Sequence, residues 1–343
     1  MNRSLFYAAG LLMLAACSQS PKQNYVVTLN ADDSYNGKMA YIVDFDTDDT
    51  LDSAMIENGV VVFEGTVAAP RYAALRVDDR TLTNLFLEAD SINISNEGIT
   101  GGELNAKNAA YLDEYMAVVN EFRQLPDSLK ESKYEELNGR IQSAQDKLLE
   151  ENMDNALGYY MFLNGPAREL GLAGLDSAIA AHPSLGDYKR VQKLRQTLVN
   201  YDETSEGKMF KDFEVTYNDS TFRLSDYVGK GKYVLVDFWA SWCGPCIRQS
   251  AVIKDIYKEY GPKGLEVIGV AVWDKPEDTL KGIKDHDLPW MNVTNAQSIP
   301  TEIYGIQGIP TIILFGPDGT ILSRDKQSDE LRSDVAKAMA SAK

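Results

Sequence analysis

Cys243 and Cys246 are separated by Gly244-Pro245, and two thiols at that spacing can be oxidised and reduced as a pair. The run Val234-Leu235-Val236 before them has the character of a strand buried on both faces. After them Val252, Ile253, Ile256, Tyr257 and Tyr260 recur at three- and four-residue steps, which predicts an amphipathic helix. A strand that delivers the pair to a helix N-terminus places the first sulfur, Cys243, among unpaired N–H groups at the positive end of the helix dipole. Lowering a cysteine pKa from about 8.5 to about 7 takes roughly 2 kcal/mol, within reach of such a site. Cys246, one turn inside the helix, is placed to attack a mixed disulfide formed on Cys243. A purely structural bridge over so short a loop would contribute only about 2 kcal/mol. Zinc needs four ligands, and the remaining soft or imidazole candidates, Cys17, His182 and His286, are scattered along the chain. Thiol–disulfide exchange is the chemistry the pair supports.

The chain that must position this pair has 343 residues, enough for two or three cores. A net charge of −17 repels nucleic acid, which excludes it as a partner. Residues 24–104 read as a β-rich domain, an antiparallel sandwich or barrel. Met55–Phe63 is expected as a hairpin turning at Asn58-Gly59, Arg71–Val77 as an alternating strand, and residues 85–94 as a hairpin about Ala89-Asp90. Asp44, Asp46, Asp48 and Asp49 lack the glycine and glutamate of a calcium loop and read as a solvated loop. Residues 105–201 read as a helical connector, with one apolar stripe at Ala109, Leu112, Met116 and Val119 and another at Leu137, Ile141, Ala144 and Leu148. Polar residues 202–208 lead into an α/β domain at 207–343. There, strands at 232–239 and 265–272 flank the thiol helix as a βαβ unit, and a hairpin and a closing helix end the chain. Asp237 falls within the apolar strand before the motif, where burial raises a carboxyl pKa.

Asp237–Cys246, Asp-Phe-Trp-Ala-Ser-Trp-Cys-Gly-Pro-Cys, resembles the active site of thioredoxin, and the pattern around it resembles the TlpA/ResA branch of envelope-anchored thioredoxin-like proteins. The resemblance implies a thioredoxin fold with a mixed central sheet. It also implies that Asp237 handles the Cys246 proton and that Ile309-Pro310 forms a cis-proline turn presenting the substrate strand. Ile299-Pro300 is the rival position for that turn. Trp242, Gly244, Pro245, Ile309 and Pro310 are thereby expected to border substrate, with Trp239 in the core. No cofactor beyond the Cys243–Cys246 disulfide is implied. The β-rich region resembles the domain of unknown function often fused ahead of such modules.

Three positions depart from the relatives. Ala251 stands where thioredoxin-type helices carry a kinking proline. Gln249 replaces the glutamate of branches devoted to cytochrome c maturation. Ala240 stands where the Thr-x-x-Cys nucleophile motif of peroxiredoxins has its threonine.

At the N-terminus, Arg3 and an apolar stretch to Ala16, too short for the roughly 20 residues of a bilayer span, precede Leu14-Ala15-Ala16-Cys17, which resembles a bacterial lipobox. Residues 1–17 are expected as a lipoprotein signal, with Cys17 lipidated and the protein held at the periplasmic side by that anchor alone. The expected partners are disulfide-containing envelope proteins and a membrane thiol transporter as electron donor. Gly-Pro between the cysteines matches thioredoxin, with a potential near −270 mV, and favours reduction. The alternatives are an isomerase or oxidase, or a scaffold lipoprotein acting through its β domain.

Overall fold

The computed structural model describes residues 23–341, so the expected signal at 1–17 and Cys17 lie outside the described residues. The chain forms two compact units, residues 23–169 with Ala181–Lys189, and Leu170–Ala180 with Arg190 onward.

The first unit contains β1 (Gln23–Asn30), β2 (Met39–Asp44), β3 (Thr50–Met55), β4 (Val60–Val67), β5 (Arg71–Val77), β6 (Arg80–Leu87), β7 (Ser91–Ser95) and β8 (Gly98–Thr100). They make two sheets, ordered β4-β1-β7-β8 and β3-β2-β5-β6. In β4, Val61, Phe63 and Val67 are buried while Val60 and Val62 are exposed, the alternation of a strand with one dry face. Val27, Ile42, Phe63, Leu75, Leu85 and Ile92 from both sheets meet in one core, which makes the unit a sandwich. The turn at Asn58-Gly59 forms, with both residues at positive φ and a bridge between Glu57 and Val60. It does not close a hairpin, because β3 pairs with β2 while β4 pairs with β1 over its whole length. The turn at Ala89-Asp90 likewise carries the chain from β6 in one sheet to β7 in the other. Both expected hairpins are corners between sheets, since a turn is set locally and a strand's partner is not.

Helices α1 (Glu103–Gln124), α2 (Asp127–Asn152) and α3 (Ala156–Asn164) follow in the same unit. Asn105 ties α1 to β6, accepting from Phe86 N at 2.9 Å and donating to Phe86 O at 2.8 Å. The expected α1 stripe is corrected. Leu112 and Met116 are exposed, and Leu104 and Val118 are the buried apolar positions, because the Asn105 anchor sets the rotation of the helix.

The rest of the helical stretch, α4 (Leu172–Ala181) and α5 (Lys189–Glu203), lies almost wholly in the second unit. Arg324 explains why α5 belongs there. Its buried guanidinium donates to Thr204 O at 2.8 Å and Tyr304 O at 2.6 Å and lies 4.1 Å from the centre of the Tyr201 ring. A cation on the carbonyls just past a helix C-terminus is favoured by the dipole.

The second unit continues with the hairpin β9 (Glu214–Tyr217) and β10 (Ser220–Arg223), then β11 (Tyr233–Trp239), α6 (Gly244–Tyr260), β12 (Leu265–Ala271), α7 (Pro276–Asp285), β13 (Met291–Val293), α8 (Ile299–Ile303), β14 (Thr311–Phe315), β15 (Ile321–Arg324) and α9 (Ser328–Ala340). The main sheet is ordered β13-β12-β11-β14-β15, with β11 parallel to β12 and antiparallel to β14. It is the mixed sheet of a thioredoxin fold. Central β11 is buried on both sides. Val234, Val236 and Phe238 join one core, and Leu235 and Trp239 join another that contains Cys243, Cys246 and residues of α6 and α9. No helix among the described residues is long and apolar enough to cross a membrane.

Candidate active site

Strand β11 ends at Trp239, and a short loop delivers Cys243 as the N-cap of α6, with Gly244-Pro245 opening the helix. Proline suits this position because the first turn has no partner for its missing N–H. Cys243 and Cys246 are joined as a disulfide with Cα atoms 5.3 Å apart. The Cys246 amide donates to the Cys243 sulfur at 3.2 Å. Once the bond is reduced, that donor and the helix dipole both favour a negative charge on Cys243. Both sulfurs belong to buried residues, with Cys243 only 3% exposed.

The peptide between Ile309 and Pro310 is cis, and it is the only cis bond among the described residues. The Ile309 carbonyl oxygen lies 3.8 Å from the Cys243 sulfur, a contact without a proton in the oxidised state. Pro300, the rival position, opens the short helix α8. Ile309 and Pro310 are half-buried, and Gly244 and Pro245 are exposed. Trp242 is 62% exposed beside the sulfur, whereas Trp239 is 2% exposed in the core.

Asp237 stands two residues from both Leu235 and Trp239 and so shares their face, the side of β11 that carries the two cysteines. It is 3% exposed, and its Oδ1 has no hydrogen-bond partner among the described residues. Burial without a compensating cation raises its pKa from 3.8 to about 7. A carboxyl with that value can both take and return a proton near neutral pH. Gln249, one turn beyond Cys246, accepts from Ser328 N at 3.2 Å, and its Nε2 has no partner among the described residues. Among the described residues no cluster of three or more His, Cys, Asp or Glu is disposed to hold a metal.

Two neighbours of the site carry no motif. Trp242 donates its indole N–H to the carbonyl of Trp273 at 3.1 Å, and Ser241 bonds twice to the buried carboxylate of Asp274. Their only trace in the sequence is a Trp-Asp pair closing the apolar run 265–272, which reads as an ordinary strand end.

Residues 207–324 match the AhpC/TSA family, and residues 25–107 match a domain of unknown function, DUF4369. The chain is 30% identical over 122 residues to the thiol-disulfide oxidoreductase ResA of Bacillus thuringiensis, covering 35% of this chain and 69% of that protein. It is 32% identical over 111 residues to the ResA of Oceanobacillus iheyensis, covering 32% of this chain and 57% of the relative, little more than half its length. A solved thiol-disulfide oxidoreductase from Bacteroides fragilis is 30% identical, with a TM-score of 0.35 over 38% of this chain and 98% of its own. With the strand–CxxC–helix arrangement in place and the Bacillus relative aligned over more than two thirds of its length, the chain belongs to the ResA/TlpA-like thiol-disulfide oxidoreductases and carries a DUF4369 domain ahead of the thioredoxin-like one.

Proposed function

We propose that this protein reduces disulfides in proteins of the cell envelope, at the periplasmic side, held there by a lipid on Cys17. The single observation that carries the reading is the redox pair at the N-terminus of α6 with a buried carboxyl of pKa about 7 on the same side of the sheet. In the reduced protein the Cys243 thiolate attacks one sulfur of a substrate disulfide. A mixed disulfide forms and the first substrate thiolate leaves. Asp237, ionised, takes the proton of Cys246, whose thiolate then attacks the Cys243 sulfur. That step closes the Cys243–Cys246 disulfide, and the second substrate sulfur leaves as a thiol. Two electrons pass to the substrate, and a membrane thiol transporter is the class of donor that would return them. Ile309 and the cis bond to Pro310 bring a backbone carbonyl close to the attacking sulfur, which suits pairing with an extended substrate segment. Trp242, Gly244 and Pro245 form the exposed border around it.

The test is trapping in the intact envelope. Cys246→Ala should leave substrates attached to Cys243 as mixed disulfides that dithiothreitol releases and mass spectrometry identifies. A Cys246→Ala protein that collects no adducts, alongside a wild type that fails to reduce insulin, would overturn the proposal. Cys17→Ser, in turn, should release the protein from the membrane fraction.

A further inference from the structure

Asp274 lies three residues past the end of β12 and is 6% exposed, yet both carboxylate oxygens are fully engaged. Oδ2 accepts from Ser241 N at 2.8 Å and Thr279 Oγ1 at 2.9 Å, and Oδ1 accepts from Ser241 Oγ and Lys275 N, each at 3.0 Å. Its backbone carbonyl accepts from Gln297 Nε2 at 2.7 Å. One residue thus fastens the loop that leads into Cys243, the start of α7 and the loop before α8. Hydrogen bonds to a buried carboxylate are the strong kind, and a knot of them fixes geometry.

The residue before it shows what that geometry serves. Trp273 has φ 54°, a left-handed backbone unusual for so large a side chain. In that conformation its carbonyl meets the indole N–H of Trp242 at 3.1 Å. Trp242 is 62% exposed and Trp273 37%, so two large indoles stand in solvent, the first of them adjoining Cys243 in the chain. An indole that far exposed has little packing to hold it. Here its only polar atom is tied, while its apolar face stays open.

We propose that Asp274 is a positioning residue for exchange with protein disulfides. By fixing Ser241 on one side and the Trp273 carbonyl on the other, it holds the Trp242 ring as a rigid apolar shelf beside Cys243. Apolar side chains flanking the target cystine lie against that shelf. The inference rests on the exchange reaction proposed above and names its substrate class: disulfides within polypeptide, flanked by apolar residues. Small disulfides reach the sulfur without the shelf.

The experiment uses the full chain, reduced and freed of reductant, mixed in single turnovers with insulin or with 5,5′-dithiobis(2-nitrobenzoate). Each reaction oxidises the Cys243–Cys246 dithiol and reduces one substrate disulfide. Asp274→Asn should slow the second-order rate with insulin about tenfold and leave the rate with the small disulfide within twofold. Trp242→Phe, which keeps an apolar ring and loses the N–H, should slow insulin as well. The double variant should be no slower than the slower single one, because both break the same tie. Equal slowing of both substrates, an unchanged insulin rate, or additive losses in the double variant would each overturn the proposal. Should Asp274→Asn fail to fold by circular dichroism, Ser241→Ala removes one of the carboxylate's bonds and takes its place, with the same expected split. A wild type inert to insulin would instead refute the exchange reaction itself.

Discussion

Replacing Asp237 by asparagine keeps the shape of a fully buried side chain and removes its charge. The native carboxyl titrates at about 7 instead of 3.8 because burial strips its solvation and no cation compensates. In the unfolded chain it ionises near its ordinary value. Between those pH values the unfolded state has released a proton that the native state still holds, so native stability falls as pH rises. The stabilisation is complete below the unfolded pKa and lost once pH passes about 7. At about 1.36 kcal/mol per pKa unit the loss is on the order of 4 kcal/mol. An asparagine at this position has no such titration. The Asp237→Asn protein should therefore exceed the wild type by about 4 kcal/mol at pH 8, with the difference closing by about pH 4. With a urea m-value of about 2 kcal/mol/M, that is a midpoint shift of about 2 M. All four tryptophans lie between residues 239 and 290, so indole fluorescence of the oxidised protein follows the second unit by itself. Resolution should suffer in the same variant. Without a proton acceptor for Cys246, release of a mixed disulfide at pH 7 should slow by about a hundredfold, near the lower bound for general-base catalysis. A stability difference that stays constant from pH 4 to 8, or a variant less stable at pH 8, would refute the reasoning.

Three further substitutions test the scaffold. Arg324→Lys removes the forked donor that serves Thr204 O and Tyr304 O together, and should lower the stability of the second unit by about 3 kcal/mol, measured by urea denaturation followed by tryptophan fluorescence. At Gly305, with φ +60°, a Cβ would lie 2.3 Å from Thr197 O and 2.5 Å from Tyr201 N. Gly305→Ala should therefore cost the same unit about 2–4 kcal/mol, and an unchanged midpoint would show that α5 is not held so closely. Asn105→Ala leaves the buried N–H and C=O of Phe86 without partners, and should weaken the first unit by about 2–4 kcal/mol, read by circular dichroism melting of the sandwich.

How much of this could be read from the sequence depended on distance along the chain. The strand Tyr233–Trp239, the pair Cys243 and Cys246 and the helix after them form one continuous segment, so their chemistry and their support were visible together. Asp237 was visible for the same reason, as a charge within an apolar run. Pro310 lies far from the cysteines and was found only through the likeness to thioredoxin. Asp274, 33 residues beyond Ser241, has nothing local to mark it, because its role exists only once β12 ends beside the thiol loop. The N-terminal unit divides along the same line. The turn at Asn58-Gly59 was legible from its residues, whereas the assignment of β3 and β4 to different sheets rests on pairing with β2 and β1. In α1 the apolar positions suggested one face, and the long-range anchor at Asn105 turned another inward.

The Cys243–Cys246 bond is the only disulfide among the described residues, and it spans a single helical turn. Opening it frees no long loop and removes no brace from either unit. The scaffold can thus be charged and discharged with electrons repeatedly while its architecture stays still. The free energy of each turnover then goes into the bond being exchanged rather than into refolding the carrier.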